Sequence, residues 1–101
     1  MRVYISGPIT GVDNPELAFA EAEKKIESEE GWEAINPIGI GLFLEAELGR
    51  KPTWSEYMRA DIKALMNCDA ICLLHGWNKS KESMIEIDLA KRIGLPRCHL
   101  D

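Results

Sequence analysis

Two carboxylates stand where helical periodicity would otherwise put apolar side chains. Glu86 lies in the stretch Ser83-Met-Ile-Glu-Ile-Asp-Leu-Ala-Lys-Arg-Ile-Gly94. At roughly 100° per residue, Asp88, Lys91 and Arg92 share one side of a helix, and Ile85, Leu89, Ala90 and Ile93 the other. Glu86 projects into that apolar arc. Asp61 holds a similar position in Trp54-Ser-Glu-Tyr-Met-Arg-Ala-Asp61, at the inner edge of an arc made by Trp54, Met58, Ile62 and Leu65. A carboxylate aimed at a core is costly unless it is paired or used. Two such groups can break a glycosidic bond: one attacks the anomeric carbon or stabilises its cation, and the other handles the leaving-group proton. Each also has a structural reading. Ser83-x-x-Glu86 fits a capping box, and Asp61 could bond to Tyr57 or a nearby backbone group.

The elements that would carry these groups alternate. Met1–Ser6 reads as a strand bearing Tyr4, followed by a tight loop, Gly7-Pro-Ile-Thr-Gly11. Asp13 or Asn14 would cap a helix that starts at Pro15 and runs to about Glu30. Its stripe is Ala18, Phe19, Ala22 and Ile26, with most charges kept off it. Gly31 ends it, and Trp32–Asn36 is a short strand stopped by Pro37. Residues 38–52 carry three glycines and allow a short helix at Leu42–Leu48, either a flap over the site, a subunit contact or a plain connection. Thr53, with Glu56 three residues on, opens a helix from Trp54 to about Asn67. Asp69–Gly76 is a continuous apolar run, as in a strand buried on both faces. A polar turn at His75–Ser83 leads into the Glu86 helix, and Arg97–Leu100 closes the order as a last strand. This alternation predicts one α/β domain over residues 1–101, three-layered and flavodoxin-like or Rossmann-like. Its parallel sheet should have about four strands in an order near 2-1-3-4. Ligands of such sheets bind beyond the carboxyl ends of the strands.

Composition narrows the classes. A net charge of −5 argues against binding a nucleic-acid polymer through its phosphates. No apolar run reaches membrane-spanning length, and Met1-Arg2 leads straight into a strand, so neither membrane nor leader is expected. Cys68, Cys72 and Cys98 lack metal or redox spacing, and Cys72 and Cys98 read as buried thiols. The odd count fits a reducing cytoplasm. No His/Cys/Asp cluster suggests a metal, and no Walker A or G-x-G-x-x-G loop suggests a nucleotide cofactor, so none is expected.

A set of short motifs then carries a resemblance. Tyr4-Ile-Ser-Gly-Pro-Ile-Thr-Gly11, Asn36-Pro37, Trp54-x-x-Tyr-Met-Arg-x-Asp61, Cys68-Asp-Ala-Ile71, Gly76-Trp77 and Glu86-x-x-x-Ala90 are in order over nearly the whole chain. Together they resemble the small nucleoside 2-deoxyribosyltransferase-like family, which includes deoxynucleotide N-glycosidases. The resemblance implies that Glu86 is the nucleophile, that Asp61 binds the sugar or protonates the base, and that Tyr4 orients Glu86. It further implies a substrate-binding set of Ser6, Gly7, Pro8, Ile9, Thr10, Gly11, Asn36, Trp54, Tyr57, Gly76, Trp77, Ser80 and Ser83. The glycosidases carry a glycine-rich turn that cradles a 5′-phosphate. Here the turn is Asn78-Lys-Ser-Lys-Glu-Ser83, where Ser80 and Ser83 can donate and Lys79 or Lys81 can neutralise. Thr10 stands where some relatives have a basic residue, and longer transferases carry a C-terminal extension that these residues lack.

The implied partner is a small-molecule nucleoside or nucleotide, and the implied reaction is cleavage or transfer of the N-glycosidic bond of 2′-deoxynucleosides or their 5′-monophosphates. The alternative on the same fold is a nucleotide-binding or sequestering module without turnover. The apolar 38–48 region and the small size predict a homodimer or larger homo-oligomer.

Overall fold

Strand β3, Ala70–Leu74, is buried along its whole length, and the sheet is assembled around it. The computed structural model describes residues 1–100. β3 pairs in parallel with β1, Arg2–Ser6, on one side and with β4, Arg97–Leu100, on the other. β2, Glu33–Ile35, pairs in parallel with the far edge of β1, giving the order β2-β1-β3-β4. Because side chains alternate across a strand, β1 divides its residues between two cores. Val3 and Ile5 pack with Phe19, Ala22 and Ile26 of the first helical segment and with Ala70, Cys72 and Leu74. Tyr4 joins Leu65, Cys68, Ile71, Leu73, Ile87 and Ala90 on the opposite face. The result is the expected three-layer, flavodoxin-like α/β arrangement with a parallel sheet.

The first helix, α1, is Pro15–Lys25, and it continues as a π-helical turn over Ile26–Glu30. Its start differs from expectation. Asn14 sits at the cap position in a left-handed conformation, and neither its side chain nor that of Asp13 caps the helix. Pro15 makes this tolerable, since its missing N–H needs no partner. Ala18 is exposed; Phe19, Ala22 and Ile26 alone form the buried stripe.

The region after β2 is the larger correction. Pro37 does not merely stop the strand. It is the first residue of a twelve-residue helix, α2, Pro37–Leu48. Asn36 caps it by accepting the Ile38 N–H at 3.0 Å. Gly39 and Gly41 lie inside it, although glycine disfavours helix. Gly41 has a packing reason: a Cβ there would stand 3.1 Å from the ring of Tyr57. α3, Trp54–Met66, opens with the anticipated capping box, Glu56 N–H to Thr53 Oγ1 at 3.2 Å and Thr53 N–H to Glu56 Oε1 at 2.9 Å. A short 3₁₀ turn, Trp77–Lys79, follows β3 and leads into α4, Lys81–Arg92.

Cys72 and Cys98 are in direct register on β3 and β4 and are joined as a disulfide, with a Cα–Cα distance of 4.6 Å. The reading of both as free thiols is therefore corrected: parallel pairing brings together two residues 26 apart in sequence, and only Cys68 stays free. The cysteine count no longer argues for a reducing compartment. Among the described residues, no helix is long and apolar enough to cross a membrane.

Candidate active site

The two cores meet the carboxyl end of the sheet differently. Tyr4 and Ser6 are two residues apart on β1, so both point toward α4. There they receive Glu86, of which 4% is exposed. The Tyr4 hydroxyl donates to Glu86 Oε2 at 2.7 Å, and Ser6 Oγ donates to Oε1 at 2.7 Å. The capping-box reading of Glu86 is thereby overturned. Ser80, not Ser83, is the N-cap: its Oγ accepts the Ser83 N–H at 3.2 Å. The helix starts one residue past Ser80, which places Glu86 too deep in α4 to fold back on its first turn. The buried face of α4 is Ser83, Glu86, Ile87 and Ala90, whereas Ile93 is more than half exposed. The wheel thus placed Glu86 on the inward side, but the arc is turned from the one first drawn.

Burial raises the Glu86 carboxyl above its ordinary range; the Tyr4 and Ser6 hydroxyls oppose the shift and Glu82 adds to it. Tyr4 is itself pushed well up, first by burial and then by the nearby charges of Glu86 and Asp61. It therefore stays protonated and remains a donor. Asp61, on α3, faces the same space. Its carboxyl is pushed up to about 7 by burial, then by Glu86 and Glu82. Its Oδ1 is buried without a hydrogen-bond partner. The reading in which Asp61 is satisfied by Tyr57 or a backbone group finds no such bond, and a buried orphan acceptor of this kind is expensive.

These groups line a cleft of about 230 Å³ whose walls include Tyr4, Gly7, Ile9, Thr10, Trp54, Tyr57, Asp61 and Glu86 from the anticipated set. It opens beyond the carboxyl end of β1, between α2, which follows β2, and α4, which follows β3, beside the β1/β3 point where the sheet order reverses. Gly7 is required there by space: a Cβ would come within 2.8 Å of Leu74 Cβ. The remaining anticipated residues lie elsewhere. Ser6 sits behind Glu86 as its second donor. Pro8 packs toward Gly76 and lines a separate depression with Val12 and His75. Gly11 is an exposed turn residue, Asn36 is the α2 cap, and Trp77 packs in the apolar cluster with its ring tilted against His99. Ser80 is consumed as the α4 cap, and Ser83 is fully buried with its Oγ unpartnered. Neither is free to cradle a phosphate.

Sequence reasoning missed Pro37, Ile38, Gly41, Leu42, Glu45 and Glu82 in the cleft wall. Glu82 had a signal, since it precedes Glu86 by one helical turn and so shares its face. The α2 segment was anticipated only as one of three alternatives, a flap over the site, and its glycines disguised the helix that brings these residues there. Glu82 Oε1 accepts from Trp54 Nε1 at 2.8 Å, and Lys81 Nζ stands 4.7 Å from the centre of the same indole ring. Glu45, Asp61, Glu82 and Glu86 surround the cleft. Among the described residues, they do not converge into a group of three able to hold a metal ion. A buried, doubly held carboxylate facing a second carboxyl that titrates near neutrality can do nucleophilic and acid–base work on a small ligand.

A family model described as "Domain of unknown function (DUF4406)" matches residues 1–98. No curated protein and no solved structure matches the chain.

Proposed function

The chain belongs to the DUF4406 family, and we propose that it cleaves or transfers the N-glycosidic bond of 2′-deoxynucleosides or their 5′-monophosphates. The observation that carries this reading is the pair Glu86 and Asp61. One carboxylate is held at both oxygens by hydroxyl donors 2.7 Å away, and the other is shifted to about 7 in the same cleft. The motifs shared with the nucleoside 2-deoxyribosyltransferase-like family support it.

In the first step a Glu86 oxygen attacks C1′. The C1′–N bond breaks, its electron pair leaves with the base, and the Asp61 carboxyl supplies the proton the base needs. The deoxyribosyl group remains as an ester on Glu86. In the second step Asp61, now ionised, takes a proton from water as its oxygen attacks C1′. The ester bond breaks and Glu86 is released as carboxylate. A second base in place of water completes a transfer instead. The 2′-deoxy sugar suits this route because it destabilises the cationic transition state less than a 2′-hydroxyl would. Trp54 and Tyr57 offer aromatic surface for the base.

Leu42 and Phe43 of α2 are about two-thirds exposed beside the cleft, and Leu42 also lines it. A second copy of the chain covering them would close the site. Sedimentation showing only an 11.4 kDa species at micromolar concentration would remove this part of the proposal.

One observation favours a second reading, a ligand-binding module without turnover: burial biases Glu86 toward its neutral form, and both its oxygens already have donors. A single assay separates the two. The protein is incubated with a panel of nucleosides and 5′-monophosphates, and free base is read by chromatography. Base release that disappears in Glu86→Gln supports the enzyme. Ligand binding without base release over hours supports the module.

A further inference from the structure

The cleft walls carry Glu45, Asp61, Glu82 and Glu86 and no lysine, arginine or histidine. The place where a parallel-sheet protein would seat a phosphate is the N-terminus of the helix after the switch-point strand, here α4. That place is taken by the protein's own anion. Glu82 lies in the first turn of α4. Its Oε1 accepts from Trp54 Nε1 at 2.8 Å, and its Oε2 accepts from Ser80 Oγ at 3.3 Å. Burial is the largest single influence on its carboxyl and raises it. The Trp54 bond, its own backbone N–H, Ser80 and Lys81 together outweigh burial and leave Glu82 below its usual range, hence charged. Lys81, the nearest cation in sequence, is engaged with the Trp54 ring and is not in the cleft wall. Ser80 and Ser83 are unavailable as donors to a ligand, as described above.

The structure assigns to Glu82 the role of a charge filter: the substrate of this cleft is an unphosphorylated nucleoside whose 5′-hydroxyl donates to Glu82, and 5′-monophosphates are turned away. This rests on the glycosidic reading of the cleft and narrows its substrate class. The geometry suits it, because Glu82 and Glu86 are one turn apart on the same face of α4, about 5–6 Å at Cβ. With Glu86 at C1′, Glu82 falls on the 5′ side of a deoxyribose lying along the helix. A hydroxyl there gains a charge-assisted hydrogen bond. A phosphate there would face like charge in a partly dry cleft.

The test compares kcat/KM for one 2′-deoxynucleoside and its own 5′-monophosphate, in wild type and in Glu82→Gln. Glutamine keeps an acceptor for Trp54 Nε1 and removes the charge. Wild type is expected to prefer the nucleoside by about 100-fold, and the variant to lose about tenfold or more of that preference. Equal or better use of the monophosphate by wild type overturns the filter while leaving the glycosidic reading intact. An unchanged ratio in folded Glu82→Gln overturns Glu82 as its cause. Glu82→Ser, a residue at home in a first helical turn, replaces the glutamine variant if that one misfolds. If neither compound releases base, the glycosidic reading fails, and calorimetric titration of the same two compounds decides the filter. Tighter nucleoside binding that equalises in the variant upholds it; no preference, or no binding, overturns it.

Discussion

One local pattern, a hydroxyl residue followed three positions on by glutamate, occurs near the start of two helices and ends in opposite states. Thr53-x-x-Glu56 opens α3, and Ser83-x-x-Glu86 lies at the start of α4. Glu56 closes a capping box and is gripped by Arg50 through two bonds of 2.8 Å. Those contacts, Arg50 first, lower its carboxyl to about 2. Glu86 ignores its own helix start, is buried against β1, and is shifted upward by that burial. A hydroxyl three residues before a glutamate therefore offers a cap without compelling one. Ser80 offered an earlier cap, and β1 offered two hydroxyls at the right height. What separates the two glutamates is solvent: one makes its bonds in water, the other in place of water.

Glu86→Gln tests this contrast most severely. Turnover should fall by about 10³-fold or more, with folding intact and the melting temperature unchanged or higher, because an unfavourably buried charge is removed. A clear drop in thermal stability with activity retained would return Glu86 to a structural role. Mass spectrometry after an acid quench should find the deoxyribosyl adduct on the peptide containing Glu86.

Asp61→Asn should lower turnover by about 10²–10⁴-fold and also changes the response to pH. Asp61 has its folded-state carboxyl raised from 3.8 to about 7. A raised carboxyl binds protons more tightly in the folded state. Its contribution to stability is present below about pH 4 and is lost as pH rises through about 7. Wild type should therefore lose stability across that window, and the asparagine variant should lose less, ending about 2 kcal/mol more stable than wild type at pH 8 after allowance for partial exposure. Glu56 has the opposite sign: its contribution is present above its unfolded value and fades as pH falls through about 2. Urea titrations at several pH values check both. A wild-type curve flat from pH 4 to 8 would contradict the Asp61 environment.

Tyr4→Phe removes one of the two donors to Glu86. With less opposition to burial, the Glu86 carboxyl rises further, so the acid limb of the pH–rate profile should move to higher pH and turnover near pH 7 fall about tenfold. A lower rate with an unshifted limb would mean that Tyr4 only packs.

Thr53→Ala probes the other helix start and should have the smallest effect. Stability should fall by about 1 kcal/mol with kcat unchanged. A loss of activity larger than the loss of folded protein would show that the α3 cap also positions Trp54.

The division of labour between chain and fold follows from these residues. Strand and helix order, the parallel sheet and its 2-1-3-4 arrangement were legible because alternating apolar periods and right-handed crossovers leave few other packings. The inward sides of α3 and α4, and with them Asp61 and Glu86, were legible because a 3.6-residue period fixes which side chains share a face. The α3 cap was legible because a cap is a contact within one turn.

Other features depend on partners distant in sequence. Glu86 meets Tyr4 and Ser6 across 82 and 80 residues, and Cys72 meets Cys98 only through strand register. The length of α2 was hidden because Gly39 and Gly41 oppose helix locally, and the space beside Tyr57 explains the second of them only after folding. Whether Ser83 or Ser80 capped α4 turned on a choice between two local bonds of similar strength. The two β1 hydroxyls decided it: Tyr4 and Ser6 bond both oxygens of Glu86 and offset the cost of burying a carboxylate, and both partners are distant in sequence.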